Sequence, residues 1–367
     1  MTTDATSFPE RGRNDSFVWT TSSDSARITQ TRGGGRRPGL GSPETIEAMH
    51  RRWLHHGHDG LGHGRPRRRR QRCRPEIADL IAGVQLDEFL LEYQPIVSLA
   101  DGRLEAFEAL LRWCHPLRGV LGPAAFLHDA EHSGALALLT PKLILDACRA
   151  AAQWNRVGET DTPIAVSINL CGAQLRDADL AAHITAALDE SGVAAERVWF
   201  EITENTAARH VLADGDVLYD LRRLGVKLAL DDFGTGCASI GCLRELPLDA
   251  VKIDRSLVVQ AGVSPSGARV LAASTEIARA LGMTAVAEGI EELDQLERVR
   301  DLGCELGQGY YFTKPVGRPE ADQMAAAMVF PPPGNGHIPL RAAILRETAA
   351  YHSRRQVPDG PPRPTGR

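Results

Sequence analysis

Apolar and polar positions along this 367-residue chain change their rhythm twice. Up to about residue 75, through "TRGGGRRPGLGSPE" and "HHGHDGLGHGRPRRRRQRCRPE", no apolar period holds and Gly, Pro, Arg and His dominate, which predicts a disordered tail. From residue 76 "EIADLIAGVQLDEFLLEYQPIVSL" predicts a short amphipathic helix and then a strand. A turn at Ala100-Asp101-Gly102 and the run "RLEAFEALLRW" send that strand back as a hairpin. Beyond the hairpin, β-prone runs recur: "PIAVSINL", "RVWFEIT", "VKLALDD", "DAVKID", "MTAVAEG" and "LGQGYYF". Between them lie segments with apolar residues at i, i+3 and i+4, such as "DLAAHITAALDESG", "DVLYDLRRLG", "ARVLAASTEIARALG" and "ELDQLERVRDLG". Each of these four ends in glycine (Gly192, Gly225, Gly282, Gly303), the residue a left-handed helix terminus favours.

Strand–helix alternation repeated this often predicts a parallel sheet, and near-continuous apolar strands suit one covered by helices. The number of units over about 250 residues favours a closed (β/α)₈ barrel over an open sheet. The rhythm fails again after residue 330, where "FPPPGNGHIPL" opens a Pro- and Gly-rich tail, residues 331–367, with one short helix candidate, "RAAILRETAAYH". The reading is therefore a barrel over residues 76–330 between two tails.

Composition narrows the class. At 43% hydrophobic and 24% charged residues the chain matches ordinary globular proteins. No apolar run nears the roughly 18 residues of a membrane span, and "MTTDATSFPE" lacks the basic-then-apolar pattern of a secretion signal. The seven cysteines are scattered without a CxxC pair, which argues against a disulfide framework or structural zinc and fits a reducing cytoplasm. The net charge of −5 hides an asymmetry, because residues 1–75 alone carry 15 basic against 7 acidic residues. The barrel segment is thus the acidic part. Without aromatic neighbours, the Arg67–Arg70 run reads as a solvated basic tail rather than a nucleic-acid arm.

Polar residues interrupt the strands at one end only. Asn169 follows "AVSI", Glu201 and Glu204 sit in "WFEITE", and Asp231 and Asp232 follow "KLAL". Lys252 and Asp254 close "AVKID", Glu288 closes "AVAE", Gln308 opens "QGYY", and Glu108 sits in the hairpin strand. One such residue is an ordinary strand end emerging into water. Six successive strands doing so at the face where barrels keep their sites predict a shared site. Oxygen donors without His or Cys select hard cations, Mg²⁺ or Mn²⁺. So many carboxylates repel one another unless compensated, and two divalent ions would balance them. Two-metal sites serve phosphoryl transfer, so the residues point to metal-dependent phosphoester hydrolysis. Rival motifs fall short: "DFG" at 232–234 has no HRDxxxxN partner, and "FGTGCAS" lacks the Walker lysine.

Together these residues resemble the EAL-domain family of cyclic di-GMP phosphodiesterases, from about Glu88 to Pro319. The resemblance runs in order through "YQPIV", "EALLRW", "SINL", "EITE", "DDFGTG", "LPLDAVKIDRS", "AVAEGIE" and "LGCELGQGYYFTKP". It implies a modified barrel with an antiparallel first strand, hydrolysis of cyclic di-GMP to linear pGpG in bacterial signalling, and two bound Mg²⁺ or Mn²⁺ ions. By the same resemblance Glu108, Asn169, Glu201, Asp231, Asp232 and Glu288 match metal ligands. Lys252, Asp232 and Glu288 match the groups acting on the attacking water. Gln94, Arg112, Asp254 and Gln308 match positions near substrate or metal. Glu204 matches the anchor of the loop after the paired aspartates, a loop the family uses for homodimer contact. That loop departs from the family pattern, with Cys237 and Cys242 replacing two aromatics and raising a question of redox sensitivity. The alternative reading is a receptor that binds cyclic di-GMP without cleaving it. Receptors lack some of the ligand set, and here every position is filled.

Overall fold

The computed structural model describes residues 77–157, 163–212, 216–236 and 240–327. Both predicted tails, the helix candidate in the second, and Cys237 lie outside these residues; so does the side chain of Cys242. Helix α1 (Ile77–Gln85) leads into strand β1 (Phe89–Ser98), which turns at Gly102 into β2 (Leu104–His115). Arg103 N donates to Asp101 Oδ1 in that turn. A short β3 (Gly119–Leu121) extends the edge of β2, and helices α2 (Leu127–Ser133) and α3 (Ala135–Val157) follow.

From there strands and helices alternate: β4 (Ala165–Leu170), α4 (Gly172–Leu175), α5 (Leu180–Ser191), β5 (Val198–Thr203), α6 (Glu204–Leu212) and α7 (Val217–Arg223). The series continues with β6 (Lys227–Phe233), α8 (Ile240–Glu245), β7 (Ala250–Ile253), α9 (Arg255–Val263) and α10 (Pro265–Ala280). It closes with β8 (Thr284–Ala287), α11 (Leu293–Asp301), β9 (Leu306–Gly307) and α12 (Arg318–Ala327). The four predicted glycines do end α5, α7, α10 and α11 with positive φ, between 70° and 98°.

The strand order β1-β9-β8-β7-β6-β5-β4-β2, with β1 paired back onto β2, closes an eight-stranded barrel. Around the barrel, β2 and β4–β9 run parallel to one another, whereas β1 runs antiparallel to both β2 and β9, and the edge strand β3 antiparallel to β2. The antiparallel first strand follows from the tight hairpin, which reverses the chain without a crossover helix.

Alternation along each strand sorts the side chains. Outward residues such as Val166, Ile168, Phe200, Ile202, Leu228 and Leu230 are buried against the apolar faces of the surrounding helices, among them Ile184 of α5 and Leu221 of α7. Inward residues form layers. Ile96, Ala106, Ala165, Val286 and Leu306, with Trp199, plug the lower barrel. The polar residues stand above that plug, toward the carboxyl ends of the parallel strands.

The structure corrects one strand boundary. "LGQGYYF" is not a strand throughout: β9 ends at Gly307 and the chain then turns over residue 290. Tyr311 N donates to the Ile290 carbonyl, and a Cβ built on Gly309 would lie 2.1 Å from that same oxygen. The alternating aromatics therefore imitate a strand where the backbone needs a close crossing. Gly309→Ala is expected to destabilise the fold by at least about 1–3 kcal/mol, the cost of overpacking. Denaturant melts of the two chains check it, and an unchanged midpoint would contradict the crossing.

Candidate active site

Sequence spacing delivers the polar set to one place because each residue ends its own strand at the same rim. Glu108 on β2 pairs with Gln94 of β1 on one side and with Ser167 of β4 on the other. Asn169 pairs with Glu201, and Thr203 with Asp231, stepping the donors around the barrel. Lys252 rises from β7 into their midst.

Lys252 is almost fully enclosed, and its Nζ lies 2.6 Å from Glu288 Oε1 and 2.7 Å from Glu201 Oε2. The same atom is 3.5 Å from Glu108 Oε2 and 3.5 Å from Asp231 Oδ1. One ammonium thus holds four carboxylates together. Asn169 Nδ2 donates to Glu108 Oε1 at 2.7 Å, and Gln308 Nε2 donates to Glu108 Oε2 at 2.6 Å. Gln308 also donates to Gln94 Oε1, and Gln94 Nε2 in turn donates to the Thr313 carbonyl.

Protonation follows from burial and crowding. Burial works to raise the Glu108 carboxyl, but Lys252 and the hydrogen bonds from Gln308 and Asn169 hold it below its ordinary value. Burial and the neighbouring Glu108 charge push Glu201 well above the carboxylate range. Glu288 is pushed up to about 8, first by burial, against the pull of Lys252. Burial and the Asp231 charge also raise Asp232. Burial opposes the charge of Lys252, yet the carboxylates around it keep the ammonium charged well beyond its usual range.

These residues fit divalent ions. Carboxylate oxygens of Asp231, Asp232 and Glu288 lie within 4.8 Å of one another. Asp231 Oδ1 and Gln308 Oε1 are buried and accept no hydrogen bond among the described residues. One lysine cannot neutralise five carboxylates, so the ring is short of positive charge, and every donor is a hard oxygen.

Asp232 adds a feature invisible in its spacing. Its φ is +57°, one of two positive values at described non-glycine residues. Aspartate tolerates this left-handed conformation better than most side chains, and Asp232 sits inside β6 where the pairing with β7 shifts register between Leu230 and Phe233. Glu204, first residue of α6 and buried, accepts hydrogen bonds from Gly234 N and Gly236 N, each at 3.1 Å. A Cβ on Gly236 would lie 2.8 Å from Glu204 Cδ, so the loop backbone closes directly on that carboxylate.

Two residues placed near substrate by resemblance have other engagements here. Arg112 Nε donates to Glu92 Oε2 at 2.6 Å, and its Nη1 donates to the Leu111 carbonyl. Asp254 accepts from Ser256 N and caps α9. Sequence reading passed over Glu92, Ser167 and the groove beside the site. This groove of about 950 Å³ starts at Glu108 and Asn169 and runs past Cys171 and Arg176 to Thr206 and Arg209.

A barrel closed by an antiparallel first strand, with carboxylates and one buried lysine at its mouth, defines a class of enzyme-like (β/α) scaffold. Within that class the chain belongs to the EAL domain family, whose pattern matches residues 77–315. The chain is 39% identical over 230 residues to the cyclic di-GMP phosphodiesterase NbdA of Pseudomonas aeruginosa, covering 63% of this chain and 29% of NbdA. It is 35% identical over 242 residues to the cyclic di-GMP phosphodiesterase RocR of the same organism, covering 66% of this chain and 61% of RocR. Among solved structures, the PaMucR phosphodiesterase in its c-di-GMP complex superposes with a TM-score of 0.63 at 31% identity, over 67% of this chain and 98% of the other. The chain therefore spans 29% of NbdA and less than two thirds of RocR. Among the described residues no helix is long and apolar enough to cross a membrane.

Proposed function

We propose that this chain hydrolyses cyclic di-GMP to linear pGpG. The observation that carries the reading is the undiminished donor set gathered around Lys252 beside an open groove. Glu108, Asn169, Glu201, Asp231, Asp232 and Glu288 would hold two divalent ions, Mg²⁺ or Mn²⁺. When bound, such ions lower the pKa of a water and offset charge on the phosphate. The residues do the rest. Lys252, kept cationic by its ring, orients the attacking water or neutralises phosphate charge; an ammonium has no lone pair with which to take a proton. Asp232 and Glu288 would accept the proton of that water. Water adds across one phosphodiester bond, its oxygen going to phosphorus and a proton to the departing ribose oxygen. Gln308, itself held by Gln94, steadies Glu108, while the resemblance would put Arg112 and Asp254, engaged here with Glu92 and the start of α9, at the border of the substrate. The groove's volume is within the usual span for small-molecule sites. The free thiols Cys114, Cys148, Cys171 and Cys304 support a cytoplasmic place of action.

The test incubates the full chain with cyclic di-GMP and Mn²⁺ or Mg²⁺ and follows product by chromatography. Linear dinucleotide is expected. Binding without product would make the chain a receptor instead.

The loop after Asp232 is proposed as the contact of a homodimer, tied in place through Glu204. Glu204→Gln weakens both glycine contacts, and an activity loss of about tenfold is expected, with sedimentation shifting toward monomer. A fully active monomer of the parent chain would reject the dimer.

A further inference from the structure

Ser167 is completely buried, two residues before Asn169 on β4 and on the same inward face. Its register partners are Glu108 on β2, a member of the carboxylate ring, and Trp199 on β5, packed against the plug, so Ser167 stands where ring and plug meet. From there Ser167 Oγ donates to Glu201 Oε1 at 2.6 Å. The other oxygen of that carboxylate, Oε2, faces Lys252 at 2.7 Å. Glu201 is 1% exposed, so no solvent competes for either atom. The two oxygens therefore have separate partners, Ser167 for one and Lys252 for the other.

We propose that Ser167 is a positioning residue for the metal site, committing Glu201 Oε1 to the barrel interior so that Oε2 alone is presented to a divalent ion. The inference rests on the metal-binding reading above. A carboxylate lying free at the end of a Glu side chain rotates about its last bond and offers either oxygen or both. A hydrogen bond from a buried hydroxyl fixes that rotation, and partners that hold a ligand from behind tune affinity for the ion. The competing explanation is that Ser167 is merely a small residue filling space beside Trp199. Alanine fills that space as well and cannot donate.

The experiment is calorimetric titration of the metal-free full chain with Mn²⁺ alone, without nucleotide. Ser167→Ala is expected to weaken Mn²⁺ binding about 10–100-fold, the usual effect of losing such a partner. Ser167→Thr keeps the hydroxyl and is expected to bind within a few-fold of the parent. Should the alanine chain fail to fold, Ser167→Cys is titrated in its place, since a thiol is a weak donor of similar size, and the same weakening is expected. Alanine or cysteine variants binding Mn²⁺ within about twofold of the parent overturn the assignment, whatever their melting temperatures. An alanine-like loss in the threonine variant overturns it too. A parent chain that takes up no Mn²⁺ overturns the metal reading and this inference together. A parent that binds Mn²⁺ but cleaves no cyclic di-GMP leaves this inference supported whenever the alanine variant binds weakly.

Discussion

Replacing Glu108 by alanine is expected to lower cyclic di-GMP turnover at least about 100-fold, beyond the usual cost of losing an outer partner of a metal ligand. The reason is its place at the junction of three neighbours. One carboxylate oxygen receives Asn169 at 2.7 Å, and the other receives Gln308 at 2.6 Å with Lys252 at 3.5 Å. Removal deletes a candidate ligand and leaves the Asn169 and Gln308 amides without the acceptor that orients them. Glu108→Gln separates the two effects, since it retains size and one acceptor oxygen but no charge. It is expected to fold like the parent while losing most of the activity. Steady-state rates at several Mn²⁺ concentrations check both variants. An alanine variant retaining a tenth of the parent rate would remove Glu108 from the proposed site.

Legibility in the sequence was uneven, and the reasons are physical. Barrel strands announce themselves because strands covered by helices are apolar almost throughout, and the glycines at 192, 225, 282 and 303 punctuate the helices between them. The mouth residues stand out for a related reason: Asp231 or Glu288 breaks an apolar run where the strand meets the rim. Helix α3, the longest described helix with 23 residues, is hidden in the sequence. Its "ALALLTPKLILDACRAAAQW" is apolar on more than one face and contains Pro141, so neither a helical stripe nor a clean start is visible.

Relations across the barrel were equally hidden. Gln94 and Gln308 are 214 positions apart in sequence and meet only because β1 closes against β9. Ser167 looks like any small residue in a strand until its diagonal neighbour is known to be Glu201. Asp254 shows the reverse ambiguity. Aspartate at a strand end reads as site chemistry, yet aspartate is also a preferred helix cap, and here it does cap α9. The left-handed turn at Asp232 left no mark beyond the glycines that follow it, because aspartate enters that region more readily than most side chains.

Lys252→Met is expected to have the second large effect, and it appears first as stability. Four carboxylates lie within 3.5 Å of the ammonium. Methionine approximates the length of the lysine stem but leaves those carboxylates without their cation. Breaking a buried charge cluster by removing one partner costs about 3–5 kcal/mol, so the metal-free variant should melt well below the parent. The loss should also depend on pH. Glu201 and Glu288 are raised above the ordinary carboxylate value even beside the lysine, Glu288 to about 8, chiefly by burial. A carboxyl raised in the folded state takes up protons on folding, so its contribution is present below its unfolded pKa and fades as pH rises through the folded one. In chelator, the methionine variant should therefore be more stable near pH 5 than near pH 8. Added Mn²⁺ should restore more stability to the variant than to the parent, since the ions would supply the charge that the lysine no longer does. Activity should remain low even when stability returns if Lys252 orients the water as proposed. Thermal melts with and without Mn²⁺, at both pH values, read all of this in one set. A metal-free variant as stable as the parent at pH 8 would mean that Lys252 does not hold the ring together.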